Sequence, residues 1–161
     1  MWKGAVRAVT RIVTYVVLAA IHVSGAPTQP VPPIGETRCL SFARADALGL
    51  DVTALRDEYR AAVTVFPERK GELAEAWQEL QYTLRDRLRE GGLTELEGHS
   101  MFTVVFFEPD GRISRVIYRG LDADEEAVFC QVVHRLAEDY RFPLTSEARF
   151  SQCGTTHFQG N

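Results

Sequence analysis

Five side chains in this chain carry chemistry that depends on where the fold puts them. They are Cys39, Cys130 and Cys153, with His134 and His157. Cys130 and His134 stand four apart in a helical pattern, so they share one face of a helix. Cys153 and His157 stand four apart in a strand pattern, on one side but about 13 Å from each other. Cys130, His134, Cys153 and His157 therefore form a conceivable four-ligand zinc set, although without the tight CxxC spacing of structural zinc sites. A second possibility is a thiol nucleophile at Cys130 with His134 as its base. That chemistry needs a group to orient the imidazole and donors for an oxyanion, and neither is readable beside it. No paired carboxylates, phosphate loop, dinucleotide fingerprint or HExxH occurs, so the sequence predicts no enzyme and no cofactor. In an oxidising compartment three cysteines leave one pair and one free thiol. The pairing read first is Cys130–Cys153, joining helix to strand, and the next is Cys39–Cys153. A bridge closing so short a loop as Cys130–Cys153 contributes on the order of 3 kcal/mol in the chain-entropy model. Three unpaired thiols are the alternative.

These residues must be placed by the elements around them, and the plainest of those is Met101–Gly120. Two apolar runs flank Glu108-Pro109-Asp110-Gly111. Pro109 presets φ in a turn, Asp110 tolerates the next position, and Gly111 takes the positive φ that closes a hairpin. The first strand is apolar on both faces and reads as central. Its partner carries Arg112, Arg115 and Arg119 and reads as more exposed. Upstream, Phe42–Leu48 reads as a short helix broken at Gly49. Asp51 is a candidate N-cap for a helix whose stripe is Val52, Leu55, Tyr59, Ala62 and Phe66, ended by Pro67. A longer helix, about Lys70 to Glu90, carries Leu73, Trp77, Leu80, Leu84 and Leu88 and stops at Gly91-Gly92. Downstream, Asp122 and Glu125 have capping-box spacing, opening a helix that buries Phe129, Val132, Val133, Leu136 and Tyr140. Pro143 forbids its continuation. The last element is a strand over Ala148–Phe158, interrupted by Gly154.

Residues 1–25 carry Lys3, Arg7 and Arg11 and no acid, followed by the apolar run Ile12–Val23. That run is shorter than the roughly 20 residues a membrane-spanning helix needs, and Val23-Ser24-Gly25 suits signal cleavage after Gly25. An uncleaved anchor and an organelle transit peptide are the rival readings. Ala26–Gly35 holds four prolines and reads as an extended leader, and residues 36–161 read as a single α+β domain. The chain has a net charge of −4, or −7 once three N-terminal bases are removed. Phosphate binding along a nucleic acid calls for a basic surface, so that partner class is disfavoured. Of the 18 basic residues, 16 are arginine, and the sole asparagine is Asn161, which reads as the coding bias of a GC-rich, bacterial genome.

The order from about residue 70 to 158 resembles the C-terminal domain of the TonB energy-transducer family. The resemblance is carried by the helix Lys70–Glu90, the strand MFTVVFFEPDG and the return strand RISRVIYRGL. The acid-capped helix LDADEEAVFCQVVHRLAEDYRFP and a closing strand ending at Phe158 complete it. The residues read as two N-terminal helices followed by ββαβ, an α+β order, and the resemblance implies an antiparallel three-stranded sheet with helices packed on one face. It also implies binding of an envelope protein or peptide by adding a strand at the C-terminal edge; the signal reading makes the module periplasmic or secreted, with no transmembrane span after cleavage. Phe150, Ser151, Gln152 and Thr155 would then be the contact residues. The membrane-anchor Ser-x-x-x-His pattern of the family is not matched, since Leu18 stands four before His22. Energy transduction is accordingly not implied. A thiol-based redox protein and a small Cys/His metal-binding protein are the alternative functions.

Overall fold

The computed structural model describes residues 38–93 and 98–158. Residues 1–25, read as a signal peptide, and 26–35, read as a proline-rich leader, lie outside them.

Five strands form one mixed sheet in the order β1-β4-β3-β5-β2. These are β1 (Cys39–Ser41), β2 (Arg60–Ala61), β3 (Ser100–Phe107), β4 (Ile113–Arg119) and β5 (Phe150–His157). The inner three, β4-β3-β5, are antiparallel, while β1 and β2 add to the two sides in parallel with β4 and β5. Three helices cover one face or link to it: α3 (Ala62–Val65), α4 (Lys70–Glu90) and α5 (Ala123–Asp139). The other face lies under α1 (Phe42–Ala47) and α2 (Val52–Glu58).

The hairpin forms where its turn residues place it. Gly111 has φ +82°, its N–H donates to Glu108 O at 2.9 Å, and Glu108 N–H donates to Arg112 O at 2.9 Å. The strand pairing slips between Phe106 and Phe107, so Ser114 and Arg115 together face Phe106 across a bulge. α4 spans the residues its periodicity predicted, burying Leu73, Ala76, Leu80, Leu84 and Leu88, and Gly92 (φ +96°) follows its end. At α5 the capping box is complete: Asp122 accepts from Asp124 and Glu125 N–H, and Glu125 accepts from Asp122 N–H.

Strand alternation divides the interior into two clusters. On the α4/α5 face, Met101, Val105 and Phe107 of β3 pack with Val116, Tyr118, Phe150 and the helix residues Leu80, Phe129 and Leu136. On the opposite face, Val104, Phe106, Ile117, Leu40 and Tyr59 pack against Ala45, with Leu48, Val52 and Leu55 at the margin.

Four expectations are corrected here. The sheet has five strands rather than three, and helices lie on both faces rather than one. β4 is interior rather than exposed, because β1 covers its outer side; Arg115 is only 8% exposed. The helix read from Asp51 to Phe66 ends at Tyr59, which is extended (φ −106°, ψ 92°), although Asp51 does cap it. Val52, Leu55 and Tyr59 serve one face of the sheet, whereas Ala62 and Phe66 serve the other. A straight helix cannot bury one stripe on both sides of a sheet. The chain instead passes its edge as β2.

Candidate functional site

β3 pairs with all eight residues of β5, from Phe150↔Phe107 to His157↔Ser100. On the other side β2 reaches only Phe150 and Ser151. Backbone parity then decides which groups are left over. Phe158 N–H donates to His99 O at 3.1 Å, while Arg149 O faces away from β3 and accepts Arg60 N–H at 3.2 Å. Residues of even number on β5 therefore bond towards β3, and those of odd number aim their N–H and C=O outward. Ser151 and Thr155, four apart, point the same way. β2 occupies the outward side at Ser151; beyond it, among the described residues, no strand meets Cys153, Thr155 or His157, and all three side chains are exposed.

β2 is short but firmly held. The Ser151 hydroxyl donates to Tyr59 O at 3.0 Å, and the Tyr59 hydroxyl donates to Glu108 Oε1 at 3.2 Å and lies 3.0 Å from the Ser114 hydroxyl. Arg149 sits over the Tyr59 ring, its Nε donates to Glu108 Oε2 at 3.0 Å, and it pairs with Glu58. Burial pushes the Tyr59 phenol above its ordinary pKa; the Ser114 hydrogen bond opposes this and the Glu108 charge adds to it. This cluster joins α2, the hairpin and the start of β5. It sets where β2 stops and the open edge begins.

Of the residues expected to form a binding edge, Phe150 and Ser151 are corrected. Both are buried and paired with β2, Phe150 stacking on Phe107 with ring centroids 5.0 Å apart. Gln152 and Thr155 lie on the open stretch. Gly154 is explained by a close approach: a Cβ there would stand 2.9 Å from the Trp77 indole nitrogen. Trp77, from α4, thus lies against the strand next to the open edge. That neighbour was not legible before the helix was docked.

The cysteines pair as Cys39–Cys130, with Cα atoms 5.4 Å apart, and Cys153 is free and exposed. This corrects both pairings read from the sequence. Cys153 has odd parity and shares its face with Ser151, on the side of the sheet away from α5, so the sheet separates it from Cys130. Cys39 lies on the edge strand next to β4, beneath α5, and its three-residue strand was too short to predict. The zinc set is corrected for the same reason. Cys130 is oxidised, and among the described residues no group of three or more His, Cys, Asp or Glu could hold a metal ion. Cys130 is equally unavailable as a nucleophile for His134.

One nucleophile–base pair was missed. Ser100 Oγ lies 2.8 Å from His157 Nδ1, where β3 and β5 pair at one end of the sheet. Both residues are exposed, and no carboxylate among the described residues forms an ion pair with that imidazole. The contact fastens the end of the strand pair. No family model, curated protein or solved structure matches the chain. Among the described residues no helix is long and apolar enough to cross a membrane.

Proposed function

We propose that this chain is an exported, non-catalytic interaction module that takes an extended segment of an envelope protein or peptide onto the open part of β5. The observation that carries the reading is the mismatch between a strand of eight residues and a neighbour that pairs with two of them. Unpaired N–H and C=O groups on a strand edge form hydrogen bonds with any extended backbone of matching register, and alternate side chains then discriminate among sequences. Here those side chains are Cys153, Thr155 and His157 on one face, with Gln152 and Trp77 on the other. The TonB-like resemblance is in keeping with this: the antiparallel core β4-β3-β5 carries α4 and α5 together on one face. The Cys39–Cys130 bridge supports an oxidising, periplasmic or extracellular setting.

Two adjacent proline substitutions test it. Thr155→Pro removes an outward N–H and should abolish capture of envelope proteins by the full chain while leaving the melting temperature nearly unchanged. Thr156→Pro removes an N–H directed at Met101 and should lower the melting temperature itself. Capture that survives Thr155→Pro, or equal melting of the two variants, would leave strand addition without its surface.

A further inference from the structure

At the hairpin end of the sheet, away from Thr155, an open cleft of about 410 Å3 is lined by Arg38, Arg112, Arg141 and Arg149 with only Glu108 and Glu138 as acids. On a chain whose net charge is −4, this lining is richer in arginine than in acid. The ion pairs show which of these charges are already engaged. Arg112 Nε is held by Asp110 Oδ2 at 2.6 Å, and Arg149 is held by Glu58 and Glu108. Glu108 in turn spends its two oxygens on Tyr59 and Arg149. Arg141 Nη1 donates to backbone carbonyls, Tyr140 O at 2.7 Å and Glu138 O at 3.2 Å; Asp110 and Asp139 feel its charge, but neither forms an ion pair with it among the described residues. Arg38 likewise has no ion-pair partner there, and its Nε is buried without an acceptor. A buried guanidinium donor of this kind is open to an acceptor that binds beside it. Of the charged residues lining the cleft, Glu138, Arg38 and Arg141 form no ion pair among the described residues.

We infer that this cleft is a binding site for a small oxyanion, held between Arg38 and Arg141. A guanidinium presents paired N–H donors in a fixed plane that match the oxygen spacing of a phosphate or carboxylate, and it gives up hydration more readily than an ammonium. Arg112 and Arg149, already neutralised, form the walls. This inference stands apart from strand addition, because it uses the opposite end of β5.

Titrating the full-length chain calorimetrically at low ionic strength with sodium phosphate, and separately with sodium acetate, tests it against sodium chloride at equal ionic strength. At least one oxyanion should bind saturably, and which one does so identifies the ligand group as phosphate or carboxylate. Arg38→Gln and Arg141→Gln should each weaken that binding by at least about fivefold, since each removes a charge-assisted pair of hydrogen bonds. Thr155→Pro should bind the anion as the unaltered chain does. Arg141 is exposed, so its variant keeps the test readable if Arg38→Gln fails to fold. Binding no stronger than chloride's, or binding unchanged by Arg141→Gln, would overturn the assignment.

Discussion

At the scale of single residues, Gly111 is the position with least freedom. Its φ of +82° is one the other L-residues adopt only under strain, and a Cβ there would stand 2.3 Å from Phe142 O. Phe142 cannot retreat, since its N–H donates to Gly111 O at 2.9 Å and its ring packs against Phe107 at 4.6 Å. Gly111→Val should therefore cost about 3 kcal/mol or more, combining backbone strain with overpacking. A urea denaturation midpoint close to that of the unaltered chain would contradict this. The tyrosines make a second prediction. Burial raises the pKa of Tyr59, Tyr118 and Tyr140, with Glu126 adding to the effect at Tyr118 and Glu79 at Tyr140, which is pushed up to about 12. A phenol whose folded pKa exceeds its unfolded value stabilises the fold fully below the unfolded pKa, near 10, and that contribution is lost as pH rises through the folded value. Stability should thus fall from about pH 10 upward. Following tyrosinate absorbance together with unfolding checks it; phenols that titrate at ordinary pH in the folded chain would contradict it.

At the scale of elements, the disulfide matters because of what it holds. β1 is three residues long and pairs with β4 through Cys39↔Val116, Leu40↔Ile117 and Ser41↔Tyr118. So short an edge strand gains little from its ladder alone. The bridge ties it to α5 across a sequence separation of 91 residues, for which the chain-entropy model gives about 4–5 kcal/mol. Reduction should lower unfolding stability by about 2–5 kcal/mol, with β1 amides losing exchange protection before those of β3. A thiol assay on the unfolded chain should find one free thiol without reductant and three with it. Three thiols without reductant would remove the bridge.

At the scale of the whole molecule, the bridge and the N-terminal segment bear on the same question. Replacing Val17 and Leu18 with arginine places charge inside the apolar run and should retain the chain in the cytoplasm. There Cys39 and Cys130 should stay reduced, so the thiol count becomes a second readout of the compartment. Export of the doubly substituted chain, with residues 1–25 removed, would show that this segment is not the address.

Local rules were enough for the hairpin at Asp110-Gly111, the caps at Asp51 and Asp122, α4 over Lys70–Glu90 and the stop at Gly91-Gly92. Each rests on groups only a few residues apart, so nearest-neighbour sterics and hydrogen bonds decide it. The two outer strands were not legible, because two or three residues carry no periodicity; Cys39–Ser41 and Arg60–Ala61 are strands only because β4 and β5 lie beside them. For the same reason Val52 to Phe66 was read as one helical stripe. Spacing reports that residues are buried but not on which side of a sheet, and Tyr59 and Phe66 are buried on opposite sides. The candidate site inherits this division. A last strand was readable over Ala148–Phe158 and forms over Phe150–His157, but which of its groups stay open depended on β2. The disulfide partner of Cys130 depended on β1, and the arginine cleft on four residues drawn from separate parts of the chain. Sequence determined the pieces whose partners are near in the chain; tertiary structure decided every pairing whose partners are far.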